Sequence, residues 1–111
     1  MTNLIFEWDE QKNKINKEKH KISFEEAETA FYDEYAIVID DPDHSQEEDR
    51  FIILGLSTKA NLLVVCHCYR ASDTVIRIIS ARKANLHYIP AKTNIDTIES
   101  KLNFSLGVKS I

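Results

Sequence analysis

A chain of 111 residues with 43% hydrophobic content, two Gly and two Pro is long enough for one folded domain and too short for two, and its composition excludes a disordered chain. No apolar run approaches the roughly 20 residues needed to cross a bilayer, and residues 1–6 lack the charged and apolar regions of a signal peptide. The net charge of −4 is unevenly spread: residues 1–21 sum to +1, residues 22–49 hold eleven acids and no Lys or Arg, and residues 50–111 hold nine basic against three acidic side chains.

Because charge acts locally, the C-terminal half suits a polyanion, and the acidic segment suits either a basic protein or plain solvent. Cys66 and Cys68 stand one residue apart, a poor position for a structural disulfide, which points to a reduced, cytoplasmic chain.

Leu4 to Trp8 reads as a short first or edge strand. Asp9 stands where an N-cap belongs, ahead of a lysine-rich helix over Glu10 to His20, with Trp8, Ile15 and the stems of Lys12 and Lys19 expected inward. Ser23-Phe24-Glu25-Glu26 has the pattern of a capping box, and the helix it opens runs to about Tyr32, burying Phe24, Ala27, Ala30 and Phe31. Tyr35 to Ile39 reads as a strand, and Asp40 to Ser45 as a loop that Gln46 to Asp49 extends. Arg50 to Ser57, Leu62 to Arg70 and Thr74 to Lys83 then form three strands joined by turns at Thr58–Asn61 and Ala71–Asp73, an antiparallel meander. Pro90 blocks a continuous helix beyond Ala84, and Thr93-Asn94-Ile95-Asp96 begins a last helix with Ile95, Ile98 and Leu102 on one face. The order predicts an α+β fold, β-α-α-β-β-β-β-α, with helices on one face of a mainly antiparallel sheet.

The strand TVIRIISARK, Thr74 to Lys83, is apolar on both faces, as in the middle of a sheet, yet holds Arg77 and Arg82. A guanidinium keeps its charge and is costly to bury alone, so Arg77 needs a carboxylate, a set of carbonyls or a ligand phosphate. On a regular strand Arg77 shares a face with Val75, Ile79 and Ala81, while Ser80 and Arg82 lie on the other. Both arginines serve one site only if the strand ends or bulges near Ser80. A wider basic set, Lys19, His20, Arg50, His67, Arg70, Arg77, Arg82 and Lys83, can converge on one sheet surface. Arginines hold phosphate oxygens bidentately, and a histidine moves a proton near neutral pH. The competing account is an internal Arg–carboxylate network with ordinary surface charge. Two metal readings are weaker. Strand alternation separates His67 from Cys66 and Cys68, and the Asp40, Asp41, Asp43, His44 loop lacks the glycine and terminal glutamate of an EF-hand.

Phe6-Glu7-Trp8-Asp9, Lys19-His20 followed by Ser23-Phe24-Glu25-Glu26-Ala27, Asp41-Pro42-Asp43-His44-Ser45, Glu48-Asp49-Arg50, Leu54-Gly55-Leu56-Ser57, Leu63-Val64-Val65 and the run Arg77 to Ala84 (RIISARKA) resemble the BrnT family, in order and spacing, over residues 4–84. The resemblance implies a RelE-like fold and the toxin of a bacterial toxin–antitoxin system: a metal-independent, cofactor-free endoribonuclease. It would cut RNA by attack of a ribose 2′-hydroxyl on the adjacent phosphorus and so inhibit translation. The partner it implies is a BrnA-like antitoxin, in an assembly of two copies each, with DNA reached only through the antitoxin. Carried over residue by residue, Arg77 and Arg82 hold phosphate, His20 moves the proton, Lys19 stabilises charge, and Arg50 and Ser80 complete the catalytic set. Arg70, Lys83 and His67 are added as RNA-binding candidates from the basic set alone. The toxin-like core is expected over residues 1–84, with 85–111 a diverged tail in which Asn85 to Pro90 replaces the family's charged helix. That departure leaves an alternative: a catalytically impaired, toxin-like binding module that still pairs with an antitoxin.

Overall fold

The structure, a computed structural model, describes residues 4–41 and 49–85. In chain order these form β1 (Ile5–Glu7), α1 (Glu10–His20), α2 (Phe24–Thr29) continued by a 3-10 turn (Ala30–Tyr32), β2 (Ile37–Asp40), β3 (Arg50–Leu56), β4 (Leu62–Arg70) and β5 (Val75–Lys83). The five strands make one sheet in the order β1-β5-β4-β3-β2. β2, β3, β4 and β5 run antiparallel to their neighbours, and β1 lies parallel to β5, pairing Glu7 with Arg77. The arginine strand is therefore an inner strand, and the fold is α+β as expected. The last helix expected from the sequence and most of the acidic loop lie outside the described residues.

Local signals set the helix ends. The Asp9 carboxylate accepts from the Gln11 and Lys12 amides at 2.8 and 3.4 Å, and Lys21 ends α1 in the left-handed region with φ 61°. Glu10 in the first turn and Lys17, Lys19 and His20 in the last match the helix dipole. Within α1 the expected inward set is wrong. Ile15 is 51% exposed, Lys12 and Lys19 are exposed, and the buried side chains are Asn13 and Asn16. Trp8 does face inward, edge-on to Phe24 at 6.0 Å.

The capping box of α2 is half made. The Ser23 hydroxyl accepts from the Glu26 amide at 3.0 Å, but the Glu26 carboxylate turns to the β3–β4 hairpin. There it accepts from the Ser57 hydroxyl at 2.7 Å and the Asn61 amide at 2.8 Å. A buried carboxylate must be paired, and those donors hold the helix to the sheet. β2 starts two residues later than Tyr35, because the Asp33 carboxylate builds a turn, accepting from the Tyr35 and Leu56 amides, each at 2.9 Å.

The core forms where Ile22, Phe24, Ala27 and Ala30 meet Ile53, Leu63, Val65, Ile78 and Ala81 of the sheet. Gly55 lets the layers close: a Cβ there would lie 2.6 Å from the Ala30 carbonyl oxygen. On the far face, Leu54, Leu62 and Val64 form a second apolar cluster with Ile37, Ile52, Leu56 and Ala84.

Candidate nucleic-acid interface

Paired residues of an antiparallel ladder point to the same side, so the register assigns each candidate to a face. On β4, Leu63 and Val65 pack into the helix-side core, and His67 lies 4.8 Å from the Phe31 ring. Val64, Cys66, Cys68 and Arg70 therefore point away from the helices. β5 pairs Arg77 with Cys68, Ser80 with Cys66 and Arg82 with Val64, and the register slips between Cys66 and His67. One residue of β5, Ile79, is the extra one. Such a bulge resets the alternation. Arg77, Ser80 and Arg82 thus share the helix-free face, in place of the opposite faces expected of a regular strand. Arg50, opposite Cys68 on β3, and Arg70, opposite Val75, belong to the same face.

Glu7 joins them from β1. Its Oε2 accepts from the Arg77 guanidinium at 2.9 Å, with the two side chains 30% and 41% exposed. A pair this open to water contributes about 0–1 kcal/mol. It orients Arg77 while using one of the five guanidinium N–H groups.

His20 closes α1 beside this face, half-buried. Its pKa is lowered by burial, then by the charges of Arg82 and Lys19. An imidazole so placed is neutral near pH 7 and able to accept a proton. Lys19, one residue earlier, is exposed.

The remaining candidates separate. His67 is fully buried on the helix side among Phe31, Phe51 and Tyr69. Its Nδ1 lies 3.1 Å from the Val65 carbonyl, its Nε2 has no partner among the described residues, and burial lowers its pKa. This corrects the RNA-binding expectation for His67: no nucleotide reaches it. Lys83 pairs with Leu63, which gives it the helix-side parity at the exposed end of β5. Cys66 donates to the buried Asp41 carboxylate at 3.5 Å. Burial, then Asp41, push its thiol up to about 12, with Arg50 opposing. Cys66 therefore stays protonated and inert. Arg50 adjoins the same acid through the backbone, where the Asp41 amide donates to the Arg50 carbonyl at 2.9 Å.

A cleft of about 500 Å³ lined by Asp49, Phe51, Tyr69 and Asp73 lies elsewhere. Phe51 pairs with His67, so this cleft belongs to the helix side, and among the described residues Asp49 and Asp73 line it with carboxylates, which repel phosphate.

Two residues that the sequence reading passed over organise the site. Asn16 Nδ2 donates to the Ala81 carbonyl at 2.7 Å and to the Ile22 carbonyl at 2.8 Å, and its Oδ1 accepts from the Ala81 amide at 3.1 Å. Asn13 accepts from the Phe24 amide at 2.8 Å and donates to Glu25 at 2.9 Å. The available signal was an Asn pair at i, i+3 in a helix with no apolar stripe.

A family model described as the ribonuclease toxin BrnT of a type II toxin–antitoxin system matches residues 8–87. Among solved structures, the chain is similar to the Brucella abortus ribonuclease toxin BrnT, with a TM-score of 0.58 and 22% identity, over 75% of this chain and 99% of that one. No curated protein matches significantly.

Proposed function

This chain belongs to the BrnT family of ribonuclease toxins of type II toxin–antitoxin systems, and from that premise we propose that it cleaves RNA on the helix-free face of its sheet without a metal or cofactor. The observation that supports this most is the bulge at Ile79, which gives Arg77, Ser80 and Arg82 one face, with His20 at its border. Arg77 and Arg82 hold the phosphodiester, and Ser80 donates a hydrogen bond to a phosphate oxygen. His20, neutral, takes the 2′-hydroxyl proton as its oxygen attacks phosphorus. The P–O5′ bond breaks, the departing 5′-oxygen takes a proton from water, and a 2′,3′-cyclic phosphate remains. Lys19 and Arg82 stabilise the charge that builds on the phosphorane. Arg70, farther along the same face, meets a neighbouring phosphate. Cutting messenger in this way would halt translation. A BrnA-like antitoxin would mask the chain, in an assembly of two copies each, and would supply any contact with DNA.

The test is incubation of the purified chain with RNA in excess chelator. Fragments ending in cyclic phosphate are expected, and Arg82→Ala lowers their rate by roughly 100- to 1,000-fold, the usual effect of removing a preorganised charge donor. A folded wild-type chain that leaves RNA intact overturns the proposal. A second reading, a binding module with impaired catalysis, draws support from Glu7, which already occupies one edge of Arg77. It predicts a stable complex with the antitoxin and no fragments.

A further inference from the structure

β1 covers the outer edge of β5 only at Val75, Ile76 and Arg77. Farther along, that edge needs other partners, since a buried backbone N–H and C=O left unpaired are costly. Asn16 supplies them at Ala81. Its amide oxygen accepts from the Ala81 N–H at 3.1 Å, and its amide nitrogen donates to the Ala81 carbonyl at 2.7 Å. The side chain thus stands in for one residue of a neighbouring strand. The second amide hydrogen goes to the Ile22 carbonyl at 2.8 Å, just beyond the left-handed end of α1. Asn16 is 6% exposed, and both of its donors are spent.

Ala81 stands between Ser80 and Arg82, and His20 lies one helical turn after Asn16. One side-chain amide therefore joins the strand bearing the phosphate-binding groups to the helix bearing the imidazole. A leucine would serve a purely packing role at this position, but it would leave the Ala81 backbone unpaired. We propose that Asn16 is a positioning residue: by clamping the backbone of Ala81 it sets His20 against the Arg77, Ser80 and Arg82 face. The inference rests on the cleavage reading above for its kinetic consequence, though not for its structural one.

Two readouts on the full-length chain separate the two. The first is the titration of His20 followed by NMR in the wild type and in Asn16→Ala and Asn16→Gln. Asn16→Gln keeps the amide but lengthens its reach by one methylene, which displaces the helix while the edge stays satisfied, so a folded variant remains if Asn16→Ala does not fold. Release of the helix end takes His20 out of its half-buried position and away from Arg82. Its titration midpoint should then rise toward the ordinary 6.5, while the midpoint of buried His67 stays put. The second readout is the pH–rate profile of RNA cleavage. The variants should lose at least about tenfold in kcat, with KM for RNA altered less than threefold. The acidic limb, where the rate rises as His20 loses its proton, should move to higher pH with the His20 midpoint. Folded variants with the wild-type His20 midpoint overturn the proposal. If His20 shifts as expected but the wild type leaves RNA intact, the clamp stands and the cleavage reading falls. If the wild type cleaves and a folded variant keeps its kcat and pH profile, the clamp falls and the cleavage reading stands.

Discussion

The two faces of this sheet are built on opposite rules. The helix side gathers Ile22, Phe24, Ala27, Ala30, Leu63, Val65 and Ile78, all at 0–1% exposure, and even its histidine is sealed among aromatic rings. The far side has its apolar cluster toward β2, at Leu54, Leu62 and Val64. Along β5 it carries Arg77 and Arg82, with Arg77 paired to Glu7 and held partly in water. β5 contributes to both faces. What keeps them separate is one extra residue, Ile79, without which Arg77 and Arg82 would point in opposite directions and one would enter the core.

If the helix side supplies stability and the far side supplies binding, substitutions should divide along the same line. Phe24→Ala, at a residue with 0% exposure in the helix-side core, should cost about 3–5 kcal/mol through lost burial and the cavity left behind. Denaturant unfolding would measure it. Arg70→Ala, exposed on the far side, should change stability by less than about 1 kcal/mol. It should instead reduce the salt dependence of RNA binding by about one unit of log–log slope, since one phosphate contact is lost. If Arg70→Ala leaves the slope intact, β4 does not contact the backbone.

The next test concerns pH and should touch stability alone. Burial holds the folded pKa of His67 below the ordinary 6.5, whereas the unfolded chain takes up the proton near 6.5. Above that value neither state binds it. Below it the unfolded state does and the folded state does not, until pH reaches the lowered folded pKa. The stability linked to neutral His67 is therefore complete above about pH 6.5 and declines as pH falls from there toward the folded value. His67→Leu should flatten that decline, leaving the part that His20, also lowered, produces. Near pH 8 the substitution should stay within about 1 kcal/mol of wild type, because loss of the Val65 bond is offset by removal of the unpaired Nε2. Unfolding free energies from pH 5 to 8 would show it, and an unchanged slope would mean that the aromatic cage does not exclude the charge.

Much of this was legible in the chain. The Asp9 and Ser23 caps, the meander and the inner position of the arginine strand follow from short-range chemistry, so alternation and turn residues reveal them. His20 and Arg82 stood in the basic set, and motif likeness gave them their expected roles. Three things were out of reach for a physical reason. A bulge near Ser80 could be stated only as a condition, because its place at Ile79 is a register choice between two strands and VIRIIS has no glycine to mark it. The inward turn of Asn13 and Asn16 reverses the usual burial preference and makes sense only once the start of α2 and the outer edge of β5 need donors and acceptors. His67 has the same residue type as His20, and what separates them is burial, which depends on Phe31 from a distant segment.

The smallest expected effect belongs to neither face and serves as the control for both. The turn between β4 and β5 places Ala71, Ser72 and Asp73 at φ 51°, 57° and 69°, three consecutive left-handed residues without a glycine. It is closed by the Thr74 amide and hydroxyl, which donate to the Ala71 carbonyl at 3.2 and 2.7 Å. A side chain in that region costs roughly 1–2 kcal/mol through the clash of Cβ with the carbonyl. Glycine removes the clash but loses about 0.5–1 kcal/mol through the greater freedom of the unfolded chain. Ser72→Gly should therefore raise stability by about 0.5 kcal/mol, seen as a shift of a few degrees in Tm at most. RNA cleavage and the His20 midpoint should stay at wild-type values, because Ser72 lies beyond both the arginine row and the Asn16 clamp. A Ser72→Gly chain that gained stability and lost cleavage would show that the strained turn, and not the bulge alone, sets where β5 presents its arginines.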